Sequence, residues 1–517
     1  MIDMRERQVL RHVVLPQALR VALPPMGNYA IALLKDTSVA SLISAPELML
    51  RARDLSSEYF MPMHDLFGRR HHVSLHGISP LVPCAPARAT LRTDKRQWKG
   101  GSMIDKVDVV VIGSGALGAS TAFHLVKAGR SVALVDKAAI ASQTSPRAAG
   151  LSGQLRRSEL MTRLASRAVA KIERFTEETG EPMVFFQPGS LKIARTPEHE
   201  KQVHEEVAFG KRLGLNVDLI APEAARRLMP FLHTDGIRAV LHMRTDVYLE
   251  PVQVPLGYAR ASERLGARLL PETRVTKIVV ENGAVTRVAT DKGEIGATTV
   301  VDAAGGWLRL VASLAGSSVP VVPTRHQLMI TVPLPEVTPD QPITRIIDAN
   351  VYVRPDKGGL MLGGYEKDPV QYDMNRQPTA FRIENLELDI AVLRRLAESV
   401  HDQFPIFRDI AVQEHRGGLP TMTADGEHVL GPAPGVQGLY VIGGCCVGGL
   451  STAPAFGEVL AEWIVMGRSP MDLSRMSPAR FATGLPEASL LALCRDRYAH
   501  HYWSSATMPK HTAVASA

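Results

Sequence analysis

At 517 residues, with 45% hydrophobic and 21% charged side chains, the chain is long enough for two or three domains and apolar enough to bury a large core, which excludes disorder of the whole chain. Its net charge of +7 sits almost entirely in residues 1–102, which carry 14 Lys and Arg against 8 Asp and Glu. The remainder balances at 45 against 44 and so lacks the signature of a nucleic-acid partner.

Residues 11–63 contain Leu15-Pro16-Gln17-Ala18, Leu23-Pro24-Pro25 with Asn28, Lys35-Asp36-Thr37-Ser38 and Glu47-Leu48, and the stretch resembles the late part of amino-acid ABC transporter permeases. The resemblance implies a further spanning helix. The longest apolar run, Tyr29 to Leu34, is instead broken by Lys35 and Asp36, well short of the ~20 residues a span needs, so no stable membrane span is expected and no working transporter. Residues 64–102 are rich in Arg, His and Pro without apolar periodicity and read as a basic irregular linker. Met103 is the expected natural start, with a permease fragment joined in frame before it. The N-terminus has no secretory pattern. Cys84, Cys445, Cys446 and Cys494 form no C-x-x-C pair, so neither zinc nor a disulfide framework is expected, and a cytoplasmic location is.

From Val107 the chain reads VDVVVIGSGALGASTAFHLVKAGRSVALVDK: an apolar strand, a glycine turn, an amphipathic helix and a second apolar strand ending at Asp136, which together make a βαβ unit. Gly113 permits the tight turn, Gly115 and Ala116 let backbone approach a pyrophosphate at the helix N-terminus, and Gly118 lets helix and strand pack closely. Asp136, with Lys137 behind it, stands where a ribose is held. The motif predicts dinucleotide binding but does not separate NAD from FAD.

Later segments favour a flavin. After Asp136 comes a small-residue stretch with Ser142, Thr144, Arg147, Ala149 and Gly150, able to pass close to an isoalloxazine ring. A strand through Val301 and Asp302 runs into Ala304, Gly305 and Trp307, and Val275 is a further candidate contact. Near the C-terminus a strand, Gly443-Gly444, then Gly448, Gly449 and Leu450 repeat the strand, turn and helix pattern, so a second helix N-terminus can face the pyrimidine end of a flavin. Each piece alone reads equally as a buried strand and turn; their order predicts FAD.

With Gly189-Ser190-Leu191, Asp246 to Pro251, His326-Gln327, Tyr352 to Pro355, Gly363 to Glu366, Gly418-Leu419-Pro420, Arg480-Phe481, Tyr498 and His501-Tyr502, the body from about Val107 to Tyr502 resembles FAD-dependent amine oxidoreductases. The resemblance is to sarcosine and dimethylglycine dehydrogenases and, more distantly, glycine oxidase and D-amino-acid oxidase. It implies an α/β, two-dinucleotide-binding-type FAD domain interleaved with an α+β mixed-sheet substrate domain, roughly 185–270 and 318–415 within a body of 103–470, then a helical tail, 471–517. Where the two dehydrogenases have a histidine bonded to FAD, this chain has Arg147, so the FAD is expected to be non-covalent. The folate-binding domain of those enzymes is not expected.

The implied substrate is a small secondary or tertiary amine such as sarcosine or dimethylglycine, oxidised by hydride transfer to flavin N5 with hydrolysis of the imine. The alternatives are oxidation of glycine or a D-amino acid, a transport component, or an inactive fusion. Oxygen, an electron-transfer flavoprotein and a quinone all stand as acceptors. Arg354 beside Tyr352 is the first choice for clamping a substrate carboxylate in bidentate fashion, against the reading that it is a surface arginine. His326 is expected to help take up the amine proton, against that of a satisfied core histidine, and Tyr248 to line the pocket or merely pack. Arg147 is expected to place charge near the flavin pyrimidine or to bind a phosphate.

Overall fold

The computed structural model describes residues 106–481 and 484–503. The permease-like stretch, the linker, Met103 and Cys84 lie outside them, as does 504–517 of the tail.

Val109–Ile112 and Val132–Val135 are fully buried apolar strands, and this favours a parallel sheet covered on both faces. They lie at the centre of a six-stranded sheet in the order 429–432, 439–443, 299–302, 109–112, 132–135, 268–270. All neighbours are parallel except the 429–432 edge. One face carries the helix Ala116–Lys127, packed against Gln253–Arg264 and Gly449–Met466. The latter crossing is close because Gly457 has no side chain: a Cβ there would lie 2.4 Å from Ser120 Oγ. Phe123, Phe175 and Tyr258 stack behind it, each burial contributing about 2–3 kcal/mol. The antiparallel strands 275–296 cover the other face, with Ile278, Val285, Val288 and Ile295 buried in one cluster.

The second layer is an eight-stranded mixed sheet, ordered 412–418, 326–331, 359–364, 351–356, 343–346, 190–194, 239–243, 217–220. Its apolar side packs on the helix Ile390–Glu398. The stretch 250–270, expected in the substrate layer, instead supplies the Gln253–Arg264 helix and the 268–270 edge strand of the dinucleotide sheet. The alternation of Val254, Tyr258 and Ala261, all buried, faces Ala116–Lys127. Among the described residues no helix is long and apolar enough to cross a membrane. The turns after Ile112, Val135, Asp302 and Gly443 all leave the carboxyl end of the parallel strands, the end at which open α/β sheets bind ligands.

Candidate active site

The first turn is built from close backbone contacts. Gly113 has φ +104, and a Cβ on it would stand 2.5 Å from Ala303 O; one on Gly118 would stand 1.9 Å from Gly113 O. Only glycine fits both positions. Gly115 caps the Ala116–Lys127 helix in extended conformation, with no side-chain cap and no acidic residue in the first turn, so the positive end of the helix is open to an anion. Ser145, not anticipated from the sequence, accepts the Ala116 N–H through Oγ at 3.0 Å; its position one turn into the small-residue stretch was the available signal.

Asp136 lies at this cradle with three donors already on it: Ser114 N at 2.7 Å, Ser114 Oγ at 2.6 Å and Ala138 N at 2.9 Å. Burial raises its carboxyl above the usual range, and Oδ1 keeps one lone pair for a ribose hydroxyl. Lys137 turns away from the phosphate turn. Its Nζ donates to Phe381 O at 2.9 Å and sits 3.8 Å from the Trp307 ring, where burial, then Arg382, pull it down to about 8. Arg382 returns the contact to Lys137 O at 2.7 Å, so residues 381–383 strap across this end. Gly305, with φ +55, begins the 3₁₀ turn that presents Trp307 after Ala304. Val275 is half-buried at the start of its strand, against the core below.

A second uncapped helix start follows Gly448, again with no acidic residue in the first turn. Before it, Gly444, Cys446 and Val447 all have positive φ, a costly conformation for a β-branched residue that a packed surround must enforce. Gly443 serves packing: a Cβ would lie 2.2 Å from Leu308 Cδ1. Gly449 leaves room for Cys445 Sγ.

A cavity of about 130 Å³ lies between the two layers. One wall is Thr144, Arg147 to Leu151, Gly418, Pro420 and Cys446 to Ser451 without Gly449; the other is His326, Leu328, Tyr352 and Tyr365, with Arg156, Arg345, His501 and Tyr502 between them. Ser142 bonds only to its own turn, through Oγ to Ala139 O. Thr144 Oγ1 accepts from Leu419 N. Arg147 donates to the carbonyls of Ser142 and Gln143, so it staples the turn while lining the cavity. Gly150 has φ +71, and a Cβ there would strike Leu249 O at 2.2 Å.

His326 has both ring nitrogens engaged, Nδ1 by Tyr498 OH at 2.8 Å and Nε2 by Tyr352 OH at 3.1 Å. Because Tyr498 OH donates to Arg325 O, Nδ1 carries the proton and Nε2 accepts from Tyr352. Burial lowers the imidazole to about 4. It is therefore neutral at physiological pH, with Nε2 already engaged by Tyr352, as a satisfied core histidine is. Tyr352 reaches the cavity over Gly363, its cross-strand partner, where a Cβ would lie 2.2 Å from its hydroxyl. Tyr365 stacks on His501 at 4.2 Å and stands edge-on to Tyr498 and Tyr502. The result is a continuous neutral aromatic wall.

Arg354 and Tyr248 are not on that wall. The Arg354 guanidinium, 2% exposed, donates to Ala149 O at 2.8 Å, Pro355 O at 2.5 Å and Asp356 Oδ1 at 3.1 Å, and lies 4.7 Å over the Tyr248 ring. Tyr248 OH donates to Pro339 O. The pair forms a buried latch behind residues 149–151, correcting the expected clamp: Nε and Nη1 are spent on backbone and carboxylate, and Arg354 does not line the cavity. The arginines that do line it are Arg147, already bound to the carbonyls of its own turn, and Arg345 and Arg156. Arg345 is the cross-strand partner of Tyr352 and lies 3.7 Å from Asp246 Oδ2; that carboxylate is fixed by Ser190 Oγ and Gln154 N. Arg156 touches Ser451 Oγ at 3.3 Å, and its buried Nε has no partner among the described residues. Burial first, then Arg345, lower its guanidinium. Two cations converge here with one distant carboxylate, an arrangement that accepts an anion.

Burial holds three histidines below their ordinary 6.5: His124 and His326 at about 4, His428 at about 3. The unfolded chain therefore binds protons that the folded chain refuses. They cost no stability above pH 6.5; stability is lost as pH falls toward about 4 for His124 and His326, by up to about 3 kcal/mol each, and toward about 3 for His428, by up to about 5 kcal/mol. The buried Asp302 carboxyl, raised well above the usual range, acts in the opposite sense, so the check is a difference in slope. The midpoint of thermal unfolding against pH is expected to fall less steeply below pH 6.5 in His428→Gln than in the parent; equal slopes would contradict this.

Residues 108–463 match the family described as DAO, FAD dependent oxidoreductase. The chain is 28% identical over 411 residues to mitochondrial dimethylglycine dehydrogenase of Rattus norvegicus, covering 78% of this chain and 47% of that one. It is 30% identical over 387 residues to mitochondrial sarcosine dehydrogenase of Homo sapiens, covering 74% and 42%. It thus spans about half the length of the curated relatives it matches. Among solved structures, L-proline dehydrogenase from P. horikoshii superposes with a TM-score of 0.67 at 26% identity, over 74% of this chain and 99% of that one.

Proposed function

Because the chain belongs to the DAO family of FAD dependent oxidoreductases, whose cofactor fits the two uncapped helix starts and the glycine cradle, we propose that it oxidises a small secondary or tertiary amine carrying a carboxylate, of the sarcosine or dimethylglycine kind. The observation that carries this reading is the cavity itself: a neutral aromatic wall ending in Arg345 and Arg156. FAD, when bound, would supply the two-electron oxidant for converting the amine to an imine, which water would then split into amine and aldehyde.

The protein's own residues make the lone pair available. An ammonium buried against Tyr352, Tyr365 and neutral His326, with two guanidinium groups nearby, is disfavoured by desolvation and by like charge, so the amine sheds its proton on entry. Arg345, placed by Asp246, receives the carboxylate and sets which carbon faces the cofactor wall, with Arg156 beside it. Gly113, Gly115, Ala116 and Gly118 cradle the pyrophosphate, Asp136 accepts from the ribose, and Gly448 to Leu450 face the pyrimidine end. Arg147, in the position of a flavin-bonding histidine in the relatives this chain resembles, forms no such bond, so the FAD is held without a covalent link.

The purified full-length chain is expected to be yellow, to release its colour to the supernatant on acid precipitation, and to bleach anaerobically with sarcosine or dimethylglycine. Colour retained in the pellet would overturn the non-covalent reading. Bleaching by glycine or D-alanine but neither N-methyl compound would overturn the substrate class.

A further inference from the structure

Across Arg156 and Arg345 from the amine cavity lies a chamber of about 890 Å³ that shares with it Gly153, Arg156, Arg345, Cys446, His501 and Tyr502 as lining. Pockets for drug-sized ligands run to about 300–1,000 Å³; the chamber is of that size and the amine cavity is far smaller. An N-methylglycine would leave the chamber empty.

Its charge is unbalanced. Seven Lys and Arg line it against five Asp and Glu. Glu206 is taken by Lys192 at 2.6 Å, Asp425 by Arg480 at 2.7 Å and Glu427 by Arg475 at 3.1 Å, Asp246 lies 3.7 Å from Arg345, and Glu205 lies 3.9 Å from Lys201 outside the chamber. Among the described residues no carboxylate is within ion-pair distance of Arg156 or Arg157. Arg157 donates only to neutral backbone oxygens, those of His501 at 2.8 Å and Trp503 at 3.0 Å and, more weakly, His500 at 3.5 Å. Arg156 stands in the wall common to both spaces with its Nε unpartnered. Arg156 is half-buried without a counter-charge, a cost that an anionic ligand removes, while Arg157 is an exposed cation lining the same chamber.

Resting on the amine-oxidase reading above, we propose that the substrate is a dicarboxylic N-alkyl amino acid. The carboxylate next to the amine meets Arg345, and a second carboxylate, on a side chain of two or three carbons, passes into the chamber to meet Arg156 and Arg157. The group recognised is a flexible acidic tail, and a neutral amide of the same shape is discriminated against.

Anaerobic dye reduction by the full-length holoenzyme with N-methylglutamate, N-methylglutamine and sarcosine tests this. N-methylglutamate is expected to exceed N-methylglutamine in kcat/KM by about tenfold or more, with the ratio collapsing toward one in Arg157→Gln and kept in Arg157→Lys. A wild-type ratio near one, or a ratio unchanged in Arg157→Gln, overturns the proposal. Should the Gln variant fail to fold, the wild-type ratio alone decides. Should no amine reduce the flavin, the amine-oxidase reading falls. Titration of the flavin absorbance with the two N-methyl compounds then still decides the chamber: tighter binding of the glutamate by a similar factor supports it, equal binding refutes it.

Discussion

Gly118→Val is expected to give a folded, colourless protein with a flavin-to-protein ratio near zero. A Cβ at 118 falls 1.9 Å from Gly113 O and 3.0 Å from Ala303 Cβ, so the helix start must back away from the turn that holds the pyrophosphate. Overpacking of this kind costs about 1–3 kcal/mol in stability, tolerable for a domain of this size, whereas the cradle depends on the backbone positions that move. Gly129→Ala is the control. Gly129, unlike the helical Gly118, has positive φ, but an added Cβ would meet nothing within 4 Å, so its replacement costs about 1 kcal/mol of backbone strain without the displacement. It should stay yellow. If both variants bind FAD equally, the contact between Gly118 and Gly113 does not shape the cofactor site.

Arg345→Met is expected to lower kcat/KM for an N-methyl amino acid by about 10²–10³-fold, mostly through KM, as loss of a buried charge-assisted contact of about 3–4 kcal/mol requires. The bound flavin should keep its spectrum and stoichiometry, because Asp246 retains Ser190 and Gln154. Arg354→Met should behave in reverse: its guanidinium joins Ala149, Pro355 and Asp356, so its loss leaves the half-buried Asp356 with only the more distant Arg416 at 3.8 Å and lowers the unfolding temperature, with KM in the surviving protein little changed. An intact Arg354 variant that has lost substrate binding, beside a silent Arg345 variant, would restore the clamp to residue 354.

The contrast between those arginines marks how far the chain could be read unfolded. The dinucleotide unit was legible because its determinants are local: an apolar run, three glycines at fixed spacing and an acid at the end of the next strand act through contacts within thirty residues. The tyrosine at 352 was legible too, by its neighbours. Period-two alternation puts Arg354 on the same side of the strand as Tyr352, but the sheet twists and residues 149–151 pass in front of 354, which no periodicity reveals. Arg345 reaches the cavity only through the pairing of 343–346 with 351–356, a register set by the fold. Even so, a hairpin drawn from the two apolar runs around Asp348 to Asn350 would have put Arg345 opposite Tyr352. The boundary expected at residue 270 falls too late for a similar reason: the apolar face of 253–264 is the same whichever layer it covers.

The final described helix, Glu487–Ala499, and the residues after it supply Tyr498, His501 and Tyr502 to a wall otherwise made more than a hundred residues earlier. A ribosome that has released both sheets has therefore not yet released a working site, since chains fold from the N-terminus as they emerge. Products of premature termination or C-terminal clipping would retain the glycine cradle, and with it FAD, while lacking the aromatic wall that governs what approaches the flavin. Such fragments would be yellow and inactive, so colour alone is a poor measure of intact enzyme in a preparation.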